Sequence, residues 1–203
     1  MEVERPAPGD ELNRGVPTKP RQAASVIVLR GGNDGLAVLL LRRNPAARFV
    51  GGAWVFPGGA LDPVDGRGDA SYRAAGVREV EEEAGLRLPD PAALVAYSRW
   101  ITPPQYAIRF DTHFFLAVEP PGQEARVDGH EMVDLGWHTP AAALAAHLRD
   151  ELELVFPTYK QLQQLSAFDS VTALLEWATG REIVAVEPHV QLTGEAARVV
   201  LPP

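Results

Sequence analysis

Glu79, Glu82 and Glu83 stand three and four residues apart in the stretch Arg78-Glu79-Val80-Glu81-Glu82-Glu83-Ala84-Gly85-Leu86, which follows the turn Phe56-Pro57-Gly58-Gly59. On a helix that spacing gathers all three carboxylates on one side, and like charges stacked there destabilise it. A cation among them removes the conflict, and hard divalent cations prefer oxygen ligands. The segment is therefore expected to be a metal-binding helix behind a glycine turn, with Glu81 on its outer surface. A solvated charged face is the plainer alternative.

The elements needed to position this helix are legible nearby. Residues 24–29 and 36–41 are short, branched apolar runs separated by Gly31-Gly32-Asn33-Asp34-Gly35, a hairpin signal. Residues 53–56 predict another strand ending at the glycine turn. The loop Asp62 to Asp69 is rich in turn formers. The helix is expected to start with Asp69 or Ser71 as its cap and to stop at Gly85. Val77, Val80 and Ala84 fall on a face opposite the glutamates, and Gly76 within the helix predicts close approach by another segment.

Further on, residues 94–101, 110–118 and 132–137 predict strands. In the second, Phe110, Phe114 and Leu116 share a face while Arg109, Asp111 and His113 take the other, which predicts a half-buried, half-polar strand. A helix is expected over 140–148 with Pro140 in its first turn. Two more are expected between Pro157 and Thr179, with the stripe Tyr159, Leu162, Leu165 as core or a dimer contact. The prolines of residues 1–20 predict a flexible arm. The expected organisation is that arm followed by a single domain over 21–203, with an α/β core to residue 150 and a helical C-terminal extension over 151–203.

Composition narrows the function. The chain has 203 residues, of which 46% are hydrophobic and 23% charged, with net charge −8. These values suit a globular domain and argue against binding long nucleic acids, which calls for basic patches. There are no cysteines, so disulfides, cysteine zinc sites and thiol nucleophiles are excluded. Met1 to Pro20 has no apolar core of a signal peptide and no run reaches membrane-spanning length, so a cytoplasmic protein without a membrane partner is expected.

The glutamate stretch with its glycine turn resembles the box of the Nudix hydrolase superfamily, G-x5-E-x7-R-E-U-x-E-E-x-G-U, where U is bulky and aliphatic. Gly59 matches the opening glycine, and Arg78, Glu79, Val80, Glu82, Glu83, Gly85 and Leu86 match the whole second half. Asp65 stands where the first glutamate belongs, in a loop longer than the pattern's, and Asp69 in the same loop competes for that role. Asp beside Gly is also ordinary turn chemistry. The resemblance implies an α/β/α sandwich with a mixed central sheet. It further implies hydrolysis of a nucleoside diphosphate linked to another group, with Mg²⁺ or Mn²⁺ as cofactor.

By the same resemblance the metal ligands are Glu79, Glu82 and Glu83 with the Gly59 carbonyl, and Arg78 orients the glutamates. Clustered carboxylates holding two cations can stabilise phosphate charge and activate water. The general base is Glu79 or a downstream carboxylate, Asp128, Glu131 or Asp134, with Glu131 favoured. Candidate phosphate holders are Arg42, Arg43 and Arg48, since guanidinium pairs bidentately with phosphate; Arg109 is a further candidate for substrate binding. Trp100, Tyr106 and Phe110 could stack a base, Tyr106 foremost because it follows Pro103-Pro104. The histidines lack metal-ligand spacing, although His113 could line a cleft.

Arg42-Arg43, the run Gly51 to Leu61, Asp62-Pro63-Val64-Asp65, Trp100-Ile101-Thr102-Pro103 and Arg109-Phe110-Asp111-Thr112 are similar to the branch containing peroxisomal coenzyme A diphosphatases. The separate coenzyme A signature of other diphosphatases is absent. Coenzyme A or an acyl-CoA is thus one implied substrate beside ADP-ribose, nucleotide sugars and dinucleotides. A non-catalytic nucleotide sensor is the competing class, and in either case the helical tail could serve as a homodimer interface. Isoprenoid diphosphate isomerases share the fold but need a catalytic cysteine.

Overall fold

The computed structural model describes residues 13, 15–31, 35–193 and 196–201, with side chains left undescribed over 192–198. Strand β1 (Arg21–Gly31) runs antiparallel to β2 (Leu36–Arg43), as the two apolar runs predicted. The tip of the predicted hairpin, residues 32–34, lies outside the described residues. After β3 (Trp54–Val55), β4 (Gly58–Ala60) and a 3-10 turn at Pro63–Asp65 comes helix α1 (Asp69–Ala84). Next are β5 (Val95–Ile101), β6 (Phe110–Val118), β7 (Met132–His138) and α2 (Pro140–Leu148). The chain continues through α3 (Phe156–Leu165), α4 (Val171–Ala178), β8 (Ala185–Val186), β9 (His189–Thr193) and β10 (Ala196–Val200).

The sheet is mixed, in the order β3-β2-β1-β6-β5-β8, with β4 added beside β1 and β7 beside β2. Parallel pairing of β1 with β6 puts these two at its centre. Along β1, Ala24, Val26 and Val28 meet Tyr72, Ala75, Val80 and Ala84 of α1. Its alternate residues Ile27 and Leu29 face a second core that includes Ala143 and Ala146 of α2, Leu162 and Leu165 of α3, and Leu174 of α4. Period-two alternation thus feeds two cores, and the result is an α/β sandwich with helices on both faces.

Covering both faces corrects the expectation for β6. Phe114 and Leu116 enter the second core, but Phe115 and Ala117 on the supposed polar face are buried under α1. Only its first residues carry polar pairs, Asp111 with Arg99 at 2.7 Å and His113 stacked on Tyr72 at 3.9 Å. His113 therefore lies against the α1 side and is not in the wall of the cavity described below.

Three further differences have local causes. Helix α1 starts after Gly68, whose φ of 74° lets the long loop enter the helix, while Asp69 is the first helical residue and Ser71 bonds back to the Gly68 carbonyl. Glu83 is buried rather than opposite the apolar face, because it borders Val80 on the helix surface. The C-terminal segment is not purely helical. β8 extends the sheet edge beside β5, and β9 and β10 form a separate hairpin.

Gly85 closes α1 in the left-handed region at φ 65°, as expected. A Cβ on Gly76 would lie 2.9 Å from the Val26 side chain, the close approach the sequence predicted. Among the described residues no helix is long and apolar enough to cross a membrane.

Candidate functional site

Arg78 organises the acidic end of the site. Its Nε and Nη2 donate to the two Asp65 oxygens, both at 3.0 Å. Its Nη1 donates to Glu79 at 2.8 Å and Glu82 at 2.9 Å, and Nη2 reaches the Ala60 carbonyl. One planar fork thereby holds three carboxylates and a backbone oxygen, geometry that a lysine cannot reproduce. The Asp65 carboxylate is 3% exposed, and Arg78 holds it below its usual ionisation range. It also accepts the Asp62 N–H, closing the 3-10 turn. Of the two loop aspartates, Asp65 is the one that Arg78 holds, and Asp69 is exposed on the helix start.

The glycine turn is shaped around the same carboxylates. The Gly58 N–H donates to Glu83 at 2.9 Å, and a side chain at Gly59 would overlap the Glu79 carboxylate. Burial pushes Glu83 up to about 8, with the negative charges of Glu79 and Glu131 adding to the shift. Burial likewise raises Glu79, against the opposing pull of Arg78. Glu131 is close enough to load both with repulsion. Desolvated anions crowded in this way are a poor arrangement unless a cation joins them.

The donor set therefore suits a hard divalent cation in kind: three helical carboxylates and the turn carbonyls, with Glu131 as a further anion nearby. The tips are not assembled around one point. Among the described residues no three acidic or histidine side chains are gathered closely enough to hold an ion. Arg78 draws Glu79 and Glu82 toward itself and Gly58 draws Glu83, and Glu82 is the most exposed of the three.

These groups form one end of a cavity of about 950 Å³. Arg43 lines it, and its charge opposes the upward shift of Glu83; its Nε is buried and without a partner among the described residues. Away from the carboxylates the wall is aromatic. Phe49 packs on Phe110 at 5.4 Å and Trp100 on Phe156 at 6.1 Å, with Tyr106 nearby, so all three proposed stacking residues line the cavity. Val50, also in the wall, is a buried β-branched residue at φ 45°, a strained left-handed conformation that costs about 1–3 kcal/mol.

Other sequence candidates lie elsewhere. Arg48 is exposed on the loop after β2 and Arg42 on the far side of that strand, and neither lines the cavity. Asp134 pairs across from Arg42, also outside it. Asp128 lines the cavity but its carboxylate accepts the His130, Glu131 and Met132 N–H groups, a loop staple rather than a free base. Arg109 is buried, bonded to Thr102, Thr18 and Glu187, and outside the cavity wall. Conversely, the sequence did not single out Arg21, Phe49, Asp150, residues 152–158, Pro188 or Val199, all of which line the cavity.

A sandwich of this topology with a carboxylate-bearing helix behind a glycine turn defines a class of hydrolase, and the comparisons agree. The NUDIX domain model matches residues 19–159, and the chain belongs to the Nudix family. It is a pyrophosphohydrolase acting on nucleoside diphosphate derivatives, and enzymes of this family generally use divalent metals. It is 25% identical to the human acyl-coenzyme A diphosphatase NUDT19 over 92% of this chain and 80% of that protein. It is 27% identical to a putative nudix hydrolase of Caenorhabditis elegans over 72% of this chain and 60% of that one. The structure resembles a NUDIX hydrolase from Alicyclobacillus acidocaldarius with TM-score 0.71 and 26% identity, covering 81% of this chain and 99% of that one.

Proposed function

We propose that this chain, as one domain over residues 21–203, hydrolyses the pyrophosphate linkage of coenzyme A or an acyl-CoA in the presence of Mg²⁺ or Mn²⁺. The observation carrying this reading is the division of one cavity's lining between the carboxylates of Glu79, Glu82 and Glu83 and the aromatic side chains of Phe49, Trp100, Tyr106, Phe110 and Phe156. A substrate with a diphosphate centre and long, partly apolar arms matches that division. Similarity to an acyl-CoA diphosphatase across most of the chain supports it.

Glu79, Glu82 and Glu83 with the Gly59 carbonyl would hold the cation, which supplies charge neutralisation for the phosphates. Arg78 holds Glu79 and Glu82 in register. Glu131 takes the proton of the water that attacks phosphorus, while the bond from phosphorus to the bridging oxygen breaks and the leaving phosphate keeps that electron pair. Arg43, with a free donor in the wall, binds a phosphate oxygen.

The test is incubation with Mg²⁺ or Mn²⁺ and a panel of coenzyme A, acyl-CoA, NADH, ADP-ribose, nucleotide sugars and diadenosine polyphosphates. Coenzyme A should be turned over best, giving 3′,5′-ADP and phosphopantetheine. Preference for another member reassigns the substrate. Tight binding without turnover of any member makes the domain a sensor.

A further inference from the structure

We propose that Arg109 is a positioning residue for substrate selection: it clamps the two ends of the chain to the loop forming the aromatic rim of the cavity. This rests on the pyrophosphohydrolase reading, and concerns which substrates the site admits.

The loop from Thr102 to Arg109 joins β5 to β6, and its Thr102, Pro103 and Tyr106 line the cavity. It has little regular structure of its own. What holds it comes from far away in sequence. Arg109 is 7% exposed and spends its donors on three separate segments. Nε donates to the Thr102 carbonyl at 3.0 Å, across the base of the loop. Nη1 donates to the Thr18 carbonyl at 2.6 Å, ahead of β1, and Nη2 to the Glu187 carboxylate at 2.6 Å, after β8.

Neighbouring bonds follow the same three-way pattern. The Thr18 hydroxyl donates to the Ala107 carbonyl, and the Arg21 N–H to the Arg109 carbonyl. The Val190 N–H donates to the Gln105 side chain at 3.4 Å. Glu187 directly precedes Pro188, itself part of the cavity wall. Strand β8 has two residues and pairs only with Arg99 and Trp100. The Arg109–Glu187 pair is therefore a main tie between the C-terminal wall and the loop. A buried guanidinium deprived of its carboxylate is poorly compensated by carbonyls alone, so the clamp is sensitive to Glu187. Glu187 lies beyond residues 19–159 matched by the family model, so the device belongs to this chain's own tail.

Arg109 bonds to none of the α1 carboxylates and is not in the cavity wall, so loosening the clamp should change admission and leave turnover intact. The expected result for Glu187→Gln is a KM raised about tenfold for the best panel substrate with kcat nearly unchanged, the signature of lost uniform binding. Mn²⁺ affinity should stay at the wild-type value. Arg109→Gln should do more, and Arg109→Lys should recover part of the loss. Hydrogen exchange over residues 102–109 should quicken in Glu187→Gln while α1 keeps its protection, a readout independent of any substrate. If Arg109→Gln does not fold, Glu187→Gln decides, since its side chain is half-exposed. Wild-type KM and wild-type exchange in folded Glu187→Gln would overturn the proposal, as would a fall in kcat at unchanged KM. A wild-type enzyme inactive on the whole panel would instead defeat the pyrophosphohydrolase reading, and the exchange result would still decide the clamp.

Discussion

The carboxylate end of the cavity comes from one stretch of chain, residues 58–83, joined by Glu131, whereas its aromatic end is collected from at least four separate stretches. Phe49 and Val50 follow β2, Trp100 to Phe110 span the β5–β6 turn, Phe156 opens α3, and Pro188 and Val199 come from the tail. The first end is held by short local bonds to one guanidinium. The second depends on a buried arginine bridging segments 78 and 91 residues from it in sequence. On the proposed reading, reaction chemistry is encoded locally while selection is distributed over loops and tail.

Substitutions can break this division. The largest expected effect below loss of a ligand is Glu131→Gln, which removes the proposed base and should lower kcat roughly 10²–10⁴-fold. Mn²⁺ affinity should change little. A variant with full kcat would return the base to Glu79. Arg78→Lys should cost about 10–100-fold in activity or metal affinity, as for other partners that orient ligands. Titration with Mn²⁺ beside steady-state rates separates the two losses, and a neutral Arg78→Lys would contradict the organising role of the fork.

A smaller, graded effect concerns pH. The Glu83 carboxyl, raised from 4.5 to about 8 by burial, is protonated below that value in the metal-free protein. Its stabilising contribution is present below 4.5 and is lost as pH rises toward 8. A cation must displace that proton, so Mn²⁺ affinity should rise by about tenfold per pH unit up to 8 and then level off. Calorimetry in buffers of different ionisation enthalpy should show about one proton released per ion below 8 and none well above. Glu83→Gln should flatten the profile.

Legibility from sequence follows the same division. The β1–β2 pair, α1 to Gly85 and α2 from Pro140 were readable because apolar period, glycine and proline act within a few residues. The Arg78–Glu82 contact was readable from their four-residue spacing, and the place of Gly59 beside the carboxylates from the resemblance of the box. Burial of Phe115 and Ala117 was not, because it depends on α1 covering the second face of β6. Arg109 illustrates the limit best. The sequence suggests a substrate-binding residue, but its partners at Thr18 and Glu187 become visible only when both segments meet it. Glu83 differs in a subtler way: helical spacing placed it with Glu79, and only packing against Gly58 made it the most buried of the three.

The most direct test of the central claim is the Mg²⁺-dependent turnover of coenzyme A by Glu82→Gln beside the wild type. Glu82 is a proposed ligand of the cation, so its loss should cost more than the ~100-fold expected for a partner outside the ligand set. Mn²⁺ binding should weaken in parallel while the fold is retained. Hydrolysis at the wild-type rate in Glu82→Gln would contradict the assignment of the carboxylate end as the seat of the chemistry.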